Sequence, residues 1–332
     1  MTQTIMEKEA RQTPEVIRGQ IQENQKIVTK IADKLHEFKP KMVMIIGRGS
    51  SDHAGVFAKY LIEIEAQIPT FAAAPSVSSV YNKQLDLDNA LVIVISQSGR
   101  SPDILAQAKM AKKGGAYCIA LVNDESSPLQ DIVDDVLPLK AGKEESVAAT
   151  KSYLSTLSAL LHLVATWTNN QGLLESLNQL PSALDAIIDS PSQLAPTAVD
   201  NVNNLVVLGR GLGFAVSKEI ALKLKEVCSI HAEAFSSAEF LHGPITLIEQ
   251  GLAILDCLVA DESEASHIEQ INEVKRRGAQ VIHLHQNKLV AHPRIAPLLV
   301  LQRFYIDVAK LSTHRGLNPD VPLGLNKVTK TL

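Results

Sequence analysis

Hydrophobic positions in the first stretch of the chain follow a helical rhythm. Ile17, Ile21, Val28, Ile31, Leu35 and Phe38 recur at spacings of three, four or seven, which predicts one amphipathic helix over 14–38. The rhythm then changes to short apolar runs bounded by turn residues, read as strands at 42–46, 70–73, 91–95, 117–122 and 136–139. Helical patterns lie between several of them, notably 52–65 and 102–112. Strands alternating with helices predict a mostly parallel sheet covered on both faces. Two further helices are expected at 150–167 and 173–188. Pro181, Pro191 and Pro196, with Ser190 and Ser192, mark a connection around 190–200.

The pattern then restarts. Leu205-Val206-Val207-Leu208-Gly209-Arg210-Gly211 repeats Met44-Ile45-Ile46-Gly47-Arg48-Gly49, each an apolar strand, a Gly-Arg-Gly turn and a helix. Later strands are expected at 252–257, 281–285 and 298–301, and helices at 214–227, 263–277 and 304–314. An internal duplication follows. The fold class is α/β, with two tandem units, each a mostly parallel sheet flanked by helices in three layers. The expected boundaries are a helical segment over 1–40, a first domain over 41–190 and a second over 200–332.

Charge and composition remove several classes of function. The net charge of −4 gives no field favouring nucleic acid or an anionic membrane, and the first 40 residues balance seven Lys/Arg against six Asp/Glu. Aromatic residues, at 4%, are too few for a base-stacking platform. No apolar run reaches the length of about 18 residues that spans a bilayer. The polar start has no signal core, so cytoplasmic residence is the expectation. Cys118, Cys228 and Cys257 are scattered and mostly within apolar segments. They read as buried reduced thiols, with neither a disulfide framework nor a metal-ligand spacing.

Candidate chemistry begins at Ser96-Gln97-Ser98-Gly99-Arg100-Ser101, directly after the run 91–95 and before Pro102. Pro suits the first helical turn. Hydroxyls and an amide thus crowd a strand-to-helix turn, where free N–H groups and the helix dipole favour an anion. The plain alternative is an N-cap serine. Gly47-Arg48-Gly49-Ser50-Ser51 forms a second hydroxyl-rich loop. Neither Gly-Arg-Gly copy has the third glycine of the dinucleotide fingerprint.

In the second half, Glu219, Lys223 and Glu226 share a helix face at i, i+4 and i+7, a spacing that by itself reads as a solvated ion-pair ladder. His242 precedes a Gly-Pro turn and is of the residue type suited to acid–base work near neutral pH. Lys327 lies in a Pro- and Gly-containing tail, which carries no role unless it docks into a site.

These segments recur in order in a known family. Ser96-Gln97-Ser98-Gly99, Gly47-Arg48-Gly49-Ser50-Ser51, Leu222-Lys223-Leu224-Lys225-Glu226 with His231-Ala232-Glu233-Ala234, Glu239-x-x-His242-Gly243-Pro244, and Leu325-Asn326-Lys327 resemble the double sugar-isomerase (SIS) module of glucosamine-6-phosphate synthase. The resemblance covers nearly the whole chain from about residue 15. It implies two SIS domains and a phosphosugar site. Phosphate-binding positions match Ser50, Ser51, Ser96, Gln97, Ser98 and Ser101. Sugar-lining positions match Val147 and Ala149, and Lys223 belongs to the charged face near the sugar. Glu226 matches the base that moves a proton between C1 and C2, and His242 the ring-opening residue, which in the synthase comes from the neighbouring subunit of a homodimer. Lys327 matches the tail lysine that reaches the sugar carbonyl. No metal or redox cofactor is implied.

Departures give the expected direction. Thr2 stands where the synthase has its glutaminase cysteine, and a single helix precedes the first strand. Without a glutamine-derived ammonia supply, the site is expected to run as a glucosamine-6-phosphate deaminase. Ala149 replaces a family serine, and Arg48 and Asp52 replace less charged residues. The alternatives are a deglycase or isomerase acting on another amino- or ketosamine-phosphosugar and, outside enzymes, a phosphosugar-sensing SIS module.

Overall fold

The computed structural model describes residues 3–200, 202–285, 291–325 and 327. In chain order its first elements are α1 (Ile5–Arg11), α2 (Thr13–Phe38), β1 (Met42–Ile46), α3 (Ser50–Glu65), β2 (Thr70–Ala72), α4 (Pro75–Ser79) and β3 (Ala90–Ser96). Next come α5 (Pro102–Lys113), β4 (Tyr117–Val122), β5 (Asp135–Pro138), α6 (Lys151–Trp167) and α7 (Gln171–Ile188). The restart comprises β6 (Asn204–Gly209), α8 (Leu212–Cys228), β7 (His231–Ser236), α9 (Ser237–Phe240), β8 (Ala253–Leu258), α10 (Glu264–Arg276), β9 (Val281–His285) and α11 (Ala296–His314). They form two compact units. One holds 15–143, 151–178 and 326–332; the other holds 1–14, 144–150 and 179–325.

The β1–β5 unit contains a five-stranded sheet in the order β2-β1-β3-β4-β5, with every pair parallel. All seven residues of β3 are buried, as a central strand covered on both faces requires, and this explains its unbroken apolar run. Met44, Ile46, Val92 and Val94 pack with Ile104, Ala108 and Ala111 of α5 on one face. Helix α2 closes the β5 edge through polar bonds. Gln20 Nε2 donates to the carbonyls of Leu139 (2.7 Å) and Ser155 (2.9 Å), and Asn24 Nδ2 to that of Pro138 (2.7 Å). Lys30 and Lys34 both reach Asp135. An edge so covered is closed to further strand pairing.

The second sheet runs β7-β6-β8-β9, also parallel throughout, and repeats the first four positions of the other sheet. The duplication extends to backbone angles: Gly49 has φ 55° and ψ −128°, and Gly211 has φ 53° and ψ −125°. Both turns need glycine at that left-handed φ. A Cβ on Gly47 would lie 2.8 Å from Ser51 backbone, and one on Gly209 would lie 2.5 Å from Gly213 backbone. The Gly-Arg-Gly signature is therefore a close strand-to-helix approach.

Two expectations are corrected, and one strand is added. The run at 298–301 is part of helix α11, which is buried on all sides from Ala296 to Ala309. Four apolar residues cannot distinguish a buried strand from a buried helix. The segment after α8, for which no element is expected from the sequence, is strand β7, paired with β6 from Asn204↔His231 to Gly209↔Ser236. Pro181 lies inside α7, and Pro196 begins a 3₁₀ turn.

Among the described residues no helix is long and apolar enough to cross a membrane. The three cysteines are free and buried, and burial pushes each thiol up to about 12, which leaves little thiolate for nucleophilic work.

Candidate active site

In the β1–β5 sheet the chain turns one way from β1 to β2 and the other way from β3 to β4, so β1 and β3 flank the topological switch point. Open parallel sheets bind ligands just outside these carboxyl ends. The loops from β1 to α3 and from β3 to α5 meet there. They enclose a cavity of about 400 Å³ lined by Arg48, Ser51, Ser96, Gln97, Ser98 and Ser101, and Lys327 contributes to the same wall.

Local bonding separates scaffold from ligand-facing groups. Ser96 Oγ accepts from Gly99 N at 3.0 Å and ties the loop back on itself. Gly99 turns at φ +60°, and a Cβ there would meet Ser127 Oγ at 2.3 Å. Ser101 occupies the N-cap position of α5 but makes no side-chain cap bond. Its hydroxyl is thus not spent on capping, which sets aside the plain N-cap reading. Arg100 turns aside to Asp124 and Ser126. Arg48 Nε donates to Asp103 Oδ2 at 2.7 Å, and Asp103 is 1% exposed, so a buried carboxylate anchors a cation at the cavity wall. Ser50 opens α3 beside Ser51 but is not part of the lining.

The β6–β9 unit carries the acid–base candidates. Lys223 and Glu219 are 1% and 0% exposed, so the solvated-ladder reading fails. Lys223 Nζ lies 2.5 Å from Glu226 Oε2 and 3.3 Å from Glu219 Oε1, and Tyr305 Oη donates to Glu219 Oε1 at 3.3 Å. Burial works against the Lys223 charge, but the two carboxylates outweigh it and raise its pKa above the ordinary 10.5. A fixed ammonium therefore sits beneath Glu226. The Glu226 side chain keeps 22% exposure and faces a cavity of about 450 Å³ walled by Ser229, Leu317, Asn318, Val321 and Leu323.

Val147 and Ala149 lie on a strap within the same unit. Glu9 accepts from the amides of Glu145 and Ser146, and Val147 N donates to Asp320 O at 3.0 Å. Neither Val147 nor Ala149 lines the Glu226 cavity. His242 is exposed in the turn after α9, its amide donating to Glu239 O at 3.0 Å. Of the expected tail motif, Asn326 lies outside the described residues. Asp103 and Tyr305 are the contributors that sequence reasoning missed. Tyr305 joins Glu219 across 86 positions, a separation no local pattern reveals.

The sequence pattern of the SIS domain matches residues 38–166 and 199–294. A glutamine–fructose-6-phosphate aminotransferase (isomerizing) from Clostridium tetani is 34% identical over 316 residues, covering 87% of this chain and 52% of that protein. The chain spans about half the length of the curated relatives it matches. Among solved structures, a protein provisionally assigned as a phosphosugar isomerase from Silicibacter pomeroyi DSS-3 superposes with TM-score 0.89 at 36% identity, covering 96% of this chain and all of that one. The C-terminal domain of glucosamine-fructose-6-phosphate aminotransferase from Francisella tularensis gives TM-score 0.82 at 25% identity, covering 97% and 99%.

Proposed function

The chain belongs to the SIS-domain family, and from that membership we propose that it interconverts the aldose and ketose forms of an amino-sugar phosphate, releasing ammonia from glucosamine 6-phosphate. The observation that carries this reading is the switch-point cavity, where Ser51, Ser96, Gln97, Ser98 and Ser101 share a wall with Lys327. Hydroxyl and amide donors suit a phosphate, and a lysine beside them suits the carbonyl of an opened sugar.

The chemistry divides among the residues as follows. Ser51, Ser96, Gln97, Ser98 and Ser101 hold the phosphate, and Ser50, outside the cavity lining, is assigned to it on the family resemblance alone. His242 moves the proton that opens the ring. Lys327 engages the carbonyl end. Glu226 takes the C2 proton and returns it to C1 through an enolamine, leaving an imine at C2. Water adds to that imine and ammonia departs, giving fructose 6-phosphate. Lys223 keeps Glu226 oriented through their ion pair. Val147 and Ala149 match sugar-lining positions of the related family, and alanine in place of a hydroxyl there removes one hydrogen-bonding partner. Deamination is the favoured direction wherever free ammonia is scarce, because water is always at hand to hydrolyse the imine.

Ammonia release from glucosamine 6-phosphate, galactosamine 6-phosphate and fructosamine 6-phosphate is the direct test. Release with formation of fructose 6-phosphate is expected from the first. Turnover of fructosamine 6-phosphate alone would make the protein a deglycase, and tight binding of all three without turnover would make it a sensor. A second measurement addresses His242, which we assign to the neighbouring active site of a homodimer. Inactive His242→Ala and Glu226→Gln proteins, mixed and refolded together, should regain part of the activity. Failure of the mixture to recover any activity would return His242 to its own chain.

A further inference from the structure

Outside these cavities, the β8–β9 edge gathers three ligating side chains. Asp256 lies within β8, opposite His283 of β9 in the parallel register. His285 follows two residues later, on the same face of the strand. His283 Nδ1 and His285 Nε2 each lie 2.8 Å from Asp256 Oδ2, and 3.1 Å from one another. Hydrogen bonding alone uses this triangle poorly. Two N–H groups aimed at one oxygen from those positions would bring their hydrogens to about 2 Å apart.

A metal ion uses the triangle well. An octahedral ion about 2.0–2.2 Å from each donor separates neighbouring donors by about 2.8–3.1 Å, whereas a tetrahedral one needs about 3.3–3.4 Å. From this geometry we infer that Asp256, His283 and His285 form one face of a five- or six-coordinate site for a divalent transition-metal ion. The other positions are open to water, since His283 and His285 are 44% and 36% exposed.

The surroundings are those of a built site. The second carboxylate oxygen, Asp256 Oδ1, lies 2.8 Å from Nε2 of His267, which is 2% exposed and whose Nδ1 lies 2.9 Å from Ser237 Oγ. Ser237 in turn donates to Gln270. Such outer bonds fix the orientation of a ligand before the ion arrives. One group opposes binding: Lys275 Nζ, exposed on α10, lies 3.3 Å from His283 Nε2. A bound ion at Nδ1 requires a proton on Nε2, so Lys275 must swing into solvent.

The test uses Co²⁺ alone, added to the full chain after chelator treatment and read by equilibrium dialysis and visible absorption. One saturable Co²⁺ per chain is expected, with the weak bands of a five- or six-coordinate ion. His283→Gln and His285→Gln, both at partly exposed positions, should each weaken binding at least tenfold, and Lys275→Met should tighten it several-fold. No saturable binding, or binding as strong in both histidine variants as in the wild type, would overturn the assignment. Intense bands of a tetrahedral ion would overturn the coordination geometry.

Discussion

Glu226→Gln is expected to lower turnover of glucosamine 6-phosphate by about 10²–10⁴-fold, the range that general acid–base groups supply. The substitution isolates chemistry from structure unusually well. An amide oxygen can still accept the hydrogen bond from Lys223, so the ammonium keeps a partner at the Glu226 position and another in Glu219. What is lost is a group able to take a proton from carbon. The Michaelis constant should change little, because the hydroxyls assigned to the phosphate lie on other elements. Incubation in D₂O checks the role most directly: deuterium should enter C2 with the wild-type protein and not with the variant. Unchanged exchange would remove Glu226 from the position of base.

Lys223→Met is expected to lower the unfolding free energy by about 3–5 kcal/mol, since it strands a carboxylate in a dry interior. Glu219 is fully buried, and a hydroxyl such as that of Tyr305 does not replace a cation beside it. An exposed i, i+4 pair would lose less than about 1 kcal/mol on the same change. The size of the effect therefore discriminates the buried arrangement from a surface ladder. Urea unfolding should show a lower midpoint at unchanged slope. The double variant Lys223→Met with Glu219→Gln should recover part of the loss, because the uncompensated charge leaves with the second change. Additive losses would indicate that the two side chains do not interact.

Much of the architecture was legible in the sequence because its signals are local. The strand at 117–122 and the helix ending at Phe38 follow from period and turn residues alone, and the structure has β4 at Tyr117–Val122 and α2 ending at Phe38. The duplication was legible because both Gly-Arg-Gly turns meet the same steric demand. Failures fall where tertiary context overrides local pattern. Residues 298–301 look like a core strand, yet α11 is buried all round and so loses the polar face that marks a helix. Strand β7 lacks a β-branched run and gains its identity by pairing with β6.

The site divides in the same way. The two hydroxyl loops could be read because each sits at the end of an apolar strand. The depth of Lys223 could not, since α8 is buried against α11, an element far along the chain. His283 and His285 carried a usable sign, two histidines on one face of an expected strand. Their carboxylate partner became visible only with the register that sets Asp256 beside them.

The paired glycine turns have one more implication. Gly49 and Gly211 share nearly the same backbone angles, yet Ser50 and Ser51 follow the first and Leu212 and Gly213 follow the second. Both units share the joint, while the hydroxyls follow it in only one of them. The second joint now ends in a fully buried leucine and thus serves as a hinge-pin for packing. One joint thus serves two ends: in one unit it presents hydroxyls at the head of a helix, and in the other it seats a leucine in the core.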